Sequence, residues 1–253
     1  MNKTLKRILI ALVALVVLVG VGTVVYVYVW DQADEEFDQG DVIDRLDATT
    51  VADTDGSGTT DGTAGTSGTD APGTAAPAGE GADGEWVIGG DSEVGYRVEE
   101  VVNGLDKTAN GRTTDITGSL TIEGTTVTAG EFTVDMTTVS SDQDRRDGQF
   151  RTRIMEVDEF PTAAFVLTAP IEFGEIPDEG GSVSAEATGD LTLHGVTKSV
   201  TFEVEATFKN GRIGVLGKIP VVFADYDIEN PSFGSIKTED NGLLEFVLIL
   251  DRA

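Results

Sequence analysis

From Trp86 to Ala253 the chain repeats one pattern: apolar and polar residues alternate with a period of two. Val94, Tyr96 and Val98 follow it, as do Ile116, Gly118, Leu120 and Ile122, and then Phe132, Val134 and Met136. Ala187, Gly189, Leu191 and Leu193 form another such run, and Val200, Phe202, Val204, Ala206 and Phe208 form the clearest. Ile213, Val215 and Ile219 lead into Val221 and Phe223, and Leu244, Phe246, Leu248 and Leu250 close the chain. A strand with one face buried reads this way. Turn-forming pairs flank the runs: Glu123-Gly124, Asn210-Gly211, Asn230-Pro231 and Asn241-Gly242. Seven or eight strands joined mostly by short turns predict an antiparallel barrel or sandwich.

One segment breaks the alternation. Between Ser141 and Glu156, Phe150, Ile154 and Met155 have helical spacing, and Ser141 with Asp144 forms an N-terminal capping pattern. A short helix is expected there, interrupted or begun late because of Gly148.

The first 85 residues have a different character. Ile8 to Trp30 carries no charged side chain. As a helix it would span about 35 Å, enough for a hydrocarbon core of about 30 Å. Tyr26, Tyr28 and Trp30 gather at one end and Lys3, Lys6 and Arg7 at the other. The expectation for residues 1–30 is a cytoplasmic tip and a single-pass anchor in the cell membrane, with everything after Asp31 outside the cytoplasm. The run is longer than a secretory core and lacks a small-x-small cleavage site. Residues 31–85 hold fifteen acids against Arg45 alone and turn into a Thr/Gly/Ala-rich tract, so a disordered linker is expected. Asp53, Asp55, Ser57, Gly58 and Asp61 imitate a calcium loop, but Ala64 stands where the bidentate Glu belongs, and the match reads as chance. Residues 86–253 are then one domain.

Composition removes several function classes. There is no Cys and a single His, His194, which excludes thiolate chemistry and any multi-histidine metal site within the chain. A net charge of −28 argues against nucleic acid as partner. Four arginines, Arg145, Arg146, Arg151 and Arg153, collect in the predicted helix. They form either an anion site or a set of pairs with Asp142, Asp144, Asp147 and Glu156. No G-x-S-x-G elbow or Walker loop is present.

Several segments resemble the YceI-like family in the form common in actinobacteria. They are Trp86-Val-Ile, Ser92-Glu-Val-Gly-Tyr-Arg97, Thr117-Gly-Ser-Leu-Thr121, Ser141 to Asp147, Phe160-Pro-Thr-Ala-Ala-Phe165 and Gly189-Asp-Leu-Thr-Leu-His-Gly-Val-Thr-Lys198. The resemblance implies an all-β fold, an eight-stranded antiparallel lipocalin-like barrel with one short helix, here preceded by a transmembrane helix and the disordered linker. It also implies an elongated apolar pocket for an isoprenoid lipid, a quinone or a polyprenyl phosphate, with no other cofactor. Members can pair as homodimers, though no segment here marks an interface. Many carry a histidine two residues beyond the Arg-Asp pair; here Gly148 and Gln149 follow Arg146-Asp147.

The function expected is a membrane-tethered extracytoplasmic binding protein for transport, storage or sensing of that lipid. The alternatives are a ligand-free envelope interaction or stress-response domain and an enzyme acting on an isoprenoid. Arg146, Arg151, His194 and Lys198 are the candidates for the head group, and Phe150, Phe165, Phe202 and Phe246 for the pocket wall. Each has a structural alternative: helix ion pairs for the arginines, the Leu193-His194-Gly195 turn for the histidine, and ordinary barrel packing for the phenylalanines. Trp86 is expected to close one barrel end.

Overall fold

A computed structural model describes residues 33–48 and 81–253. The expected membrane-spanning segment and the calcium-loop look-alike lie outside the described residues. Among the described residues, no helix is long and apolar enough to cross a membrane.

The alternating runs fold into one antiparallel sheet that closes on itself. β1 (Gly84–Ile88) and β2 (Glu93–Val102) make one long, interrupted strand. It turns at Asn103-Gly104 into a second, β3 (Leu105–Thr113) followed by β4 (Ile116–Glu123). β5 (Thr126–Asp135), β6 (Thr162–Leu167) extended by β7 (Ile171–Glu172), β8 (Ser182–Leu193), β9 (Val196–Lys209) and β10 (Arg212–Val222) follow around the wall. β11 (Ile236–Thr238) adds a short strand beside β2, and β12 (Asn241–Arg252) closes the ring. β12 pairs along β10, Ile213 opposite Leu250 and Val222 opposite Asn241. Its other edge pairs with both halves of the first strand, Phe246 opposite Val94 and Arg252 opposite Trp86. The ring therefore has eight members, as expected.

The barrel has two unlike ends. One, the helix end, carries the β2–β3 and β8–β9 turns, the β5–β6 connection and the segment between β10 and β12. The opposite end carries the β4–β5 and β9–β10 turns, residues 81–83 and the C-terminus. The expected helix in the β5–β6 connection exists, but in two pieces: α2 (Asp144–Gln149), continued by a wider π-type turn at Phe150–Ile154. Its N-cap residue is Gln143, with no side-chain cap. Ser141 instead binds Asp147, its Oγ lying 2.6 Å from Oδ1. That contact uses the hydroxyl the capping pattern required.

The disordered-linker expectation fails for residues 33–48. Here α1 (Gln39–Asp47) follows Asp38, whose carboxylate accepts from Gly40 and Asp41 while Asp41 accepts from the Asp38 amide. This reciprocal cap satisfies amides that the first turn leaves free. Val42 and Leu46 lie one turn apart on one face and, with Phe37, are almost fully buried. They cover Val247 and Ile249 on the outer face of β12, both at 0% exposure, together with Leu216. The tract is acidic but not apolar-poor at these three positions, and a prepared apolar wall receives them. A Cβ on Gly214 would lie 2.4 Å from Val42 Cγ1 and 3.0 Å from Leu46 Cδ1, so a bare backbone is needed for α1 to sit this close.

Gly214→Val should therefore lift α1 from the wall. In residues 33–253 it should cost about 1–3 kcal/mol in denaturant unfolding and speed proteolysis within 33–48, with strand content retained by circular dichroism. A variant as stable and as protease-resistant as the parent would overturn the close seating.

Candidate functional site

The inward face of the ring does not fill. It leaves an elongated cavity of about 470 Å³ running between the two barrel ends. Its wall is overwhelmingly apolar, with Leu120, Ala187, Leu191 and Val204 among its residues. Four phenylalanines singled out from the sequence, Phe150, Phe165, Phe202 and Phe246, all line it. Three of them form a chain of edge-to-face contacts: Phe165 to Phe202 with centroids 5.5 Å apart, then Phe202 to Phe246 at 6.1 Å. Such pairing holds the rings in one geometry. The Phe246 ring lies over Gly217 of β10, where a Cβ would stand 2.2 Å from Cζ. The glycine lets the ring lie along the wall and keeps the lumen open.

Most polar groups of the cavity collect toward the helix end, with Thr125 and Glu175 at the opposite one. Glu100 comes from β2, and Gln143, Arg145, Arg146 and Gln149 from α2 and the residue before it. Tyr96 lies beneath them, stacked on Phe150 with ring centroids 5.0 Å apart and planes 6° from parallel. Burial, reinforced by Asp147, Glu100 and Asp142, pushes the Tyr96 phenol above its ordinary value; Arg146 opposes the shift without reversing it. Tyr96 is thus a neutral donor in an apolar tube. Arg146 is held by two carboxylates, Asp142 one helical turn away and Glu100 at 4.0 Å. Gln149, at the position where many family members have histidine, lines the cavity and offers an amide that does not titrate.

The other three head-group candidates lie away from the cavity. Arg151 donates to the Val139 carbonyl at 3.2 Å, an internal tie of the β5–β6 connection. Lys198 is exposed on β9. His194 sits at positive φ in the β8–β9 turn and is buried against Phe160. Its Nδ1 donates to the Tyr226 carbonyl at 3.2 Å and its Nε2 lies 3.2 Å from a Glu156 carboxylate oxygen. Both ring nitrogens are engaged in fixing the turn, which leaves none for a ligand. Trp86 is almost fully buried near the opposite end: its indole donates to the Ala82 carbonyl, and its ring meets edge-on Phe208 of β9, a strand that β1 does not pair with. Tyr96 and Gln143 were not singled out from the sequence as site residues, and Arg145 only as one of the four clustered arginines. Tyr96 carried a visible signal, an aromatic on the inward register of β2 within sight of the arginine-rich helix.

Comparison with known proteins places this barrel. A solved polyisoprenoid binding domain from Saccharophagus degradans, described as implicated in plant cell wall breakdown, superposes with a TM-score of 0.54. It is 17% identical, and the match covers 67% of this chain and 98% of that one. That likeness is one of fold. In sequence, a UPF0312 protein of Pseudomonas putida (strain W619) is 39% identical over 97 residues, 37% of this chain and 46% of that protein. A UPF0312 protein of Vibrio parahaemolyticus is 33% identical over 109 residues, 40% of this chain and 53% of that one. The chain thus matches about half the length of these curated relatives. The YceI-like domain model matches residues 87–249, which is more than half of the chain and nearly all of the barrel. The chain belongs to the YceI-like domain family.

Proposed function

We propose that this chain is a membrane-tethered extracytoplasmic binding protein that holds an isoprenoid lipid in the barrel, for transport, storage or sensing. The observation that carries the reading is the cavity: about 470 Å³, apolar along its length, with most of its polar groups gathered at one end. That volume lies within the usual range for ligand pockets. Each buried methylene-sized unit of an isoprenoid tail contributes on the order of 0.8 kcal/mol, so a long tail supplies affinity and the polar end supplies orientation. The description of the Saccharophagus domain as polyisoprenoid binding supports the same ligand class.

Electrostatics separates the two head groups. Of the charged side chains lining the polar end, Glu100 stands with Arg145 and Arg146, and Arg146 already pairs with Glu100 and with Asp142 beside it. A phosphate entering here would have to displace Asp142 and Glu100 from the Arg146 guanidinium. A neutral quinone carbonyl needs donors only, and Tyr96, Gln143 and Gln149 supply them. The reading is therefore a quinone-type, uncharged head group.

Native mass spectrometry of residues 33–253, produced in a host that makes quinones and polyprenyl phosphates, should show one quinone per barrel. A barrel that stays empty after delipidation and titration with both lipids would overturn the proposal. Arg146→Gln should change quinone affinity by no more than about tenfold, the range of a neutral hydrogen bond; a phosphate ligand would lose more.

The phenol adds a pH signature. Because its folded-state value is raised, Tyr96 keeps its proton above the ordinary tyrosine value of 10.0. Quinone affinity, measured by fluorescence titration, should therefore stay flat as pH rises through 10.0. Tyr96→Phe should weaken binding by about tenfold or less at every pH tested. A fall in wild-type affinity centred at 10.0, absent in Tyr96→Phe, would show that the phenol ionises normally.

A further inference from the structure

The stretch from Asp34 to Asp47 fixes where the preceding chain leaves the barrel. Near the opposite end, the Asn210 side chain donates to the Leu46 carbonyl at 3.0 Å, and Lys209 pairs with Asp47. Further along the wall, Val42 sits on Gly214 and the Phe37 amide donates to Glu245 at 3.3 Å. At its start, the Arg97 guanidinium donates to the Asp34 carbonyl at 2.6 Å and the Asn110 amide to the Asp34 carboxylate at 3.0 Å. In register these contacts move from Ile249 through Glu245 to the level of Leu243, two residues from the start of β12. Asp34 also borders a shallow cleft with Ser140, Ser141 and Asp142, the residues leading into α2. The chain that precedes residue 34 therefore leaves the wall close to the helix end.

Asp34 is four steps along the chain from Trp30, the last of the apolar run. Fully extended they reach at most about 14 Å. Without the docked stretch, the 55 residues from 31 to 85 would give an r.m.s. reach of roughly 40 Å and no preferred orientation. The apolar surface agrees with the short leash. Among the described residues, Leu105, Val222 and Phe233 are exposed large hydrophobics and all lie at the helix end; Phe233, 60% exposed, also borders the cavity. Away from the helix end Val87, Val166 and Ile176 are exposed as well, each less than Phe233, and Ile176 likewise borders the cavity.

We infer that the docked stretch 34–47 holds the helix end of the barrel, with the polar end of its cavity and Phe233, against the surface of the bilayer that anchors residues 8–30. The occupant of this apolar rim is membrane lipid, and the cavity opens toward the leaflet that supplies its ligand. The inference rests on the membrane-tethered reading above.

The absence of native cysteine makes the test clean. Phe233→Cys and Ile176→Cys would each carry one environment-sensitive fluorophore on the full chain, reconstituted in phosphatidylcholine vesicles containing doxyl-labelled lipid. Quenching should be several-fold stronger at 233 than at 176. Adding Val42→Asp and Leu46→Asp should release the wall contact and abolish that difference while the protein still floats with the vesicles. Equal quenching at both sites, or stronger quenching at 176, would overturn the inference and leave the tether standing. A difference that survives the Val42/Leu46 pair would overturn the role given to the docked stretch. A chain that fails to float with vesicles would overturn the tethered reading itself.

Discussion

A closed sheet must find a partner for the backbone of every strand, and in this barrel β12 makes the closure. It hydrogen-bonds to β10 on one edge and to both β1 and β2 on the other. Closure abolishes the exposed edges that make open antiparallel sheets prone to further pairing. It also fixes the lumen, because an eight-membered ring encloses only enough room for side chains or one slender ligand. β12 is buried on both faces: Leu248 and Leu250 point into the barrel while Val247 and Ile249 lie under α1. One strand thus links the ring, the cavity wall and the docked stretch.

The same strand carries the most demanding charge in the protein. Glu245, at 0% exposure, accepts from Arg97 at 3.4 Å, from Arg112 at 3.1 Å and from the Phe37 amide. A buried carboxylate is tolerable only when its oxygens are satisfied in this way. The Arg112 guanidinium then lies 4.0 Å from the Phe37 ring centroid. Ion pair, cation–π contact and apolar cluster are therefore neighbours under one short piece of chain. An acidic leader rich in Asp and Glu suits that wall, where Arg97 and Arg112 pair with Glu245 and Lys218 pairs with Glu36 of the leader itself.

Much of the ring was legible because one-sided burial writes period-two alternation directly into the sequence. β3 was not. Its inward positions are Ala109, Gly111 and Thr113, small residues that leave room for the Tyr96 ring, and its outward Asn110 and Arg112 serve the docked stretch. Neither face is strongly apolar, so the strand has no periodic signature. α1 was hidden by its surroundings, since Phe37, Val42 and Leu46 stand in a tract dominated by Asp and Glu. The readable clue lay far away: Val247 and Ile249 break the alternation of β12, and a strand that is apolar on both faces needs a cover on each. At the site, the inward register of the strands pointed to Phe165, Phe202 and Phe246, and helical spacing to Phe150. His194 and Arg151 misled, because nothing in the sequence shows that local backbone groups already occupy them.

The cavity and the charge distribution impose one constraint together. A ring lined with four phenylalanines could have packed shut, yet Gly217 draws the Phe246 ring onto the wall and Ala187 stands opposite Phe202 in register. Small residues set against large ones preserve the open lumen at the expense of apolar contact. That arrangement withholds stability from the empty barrel and returns it when an apolar chain fills the space. The acidic exterior adds repulsion between like-charged copies, which an apolar rim of this kind must work against.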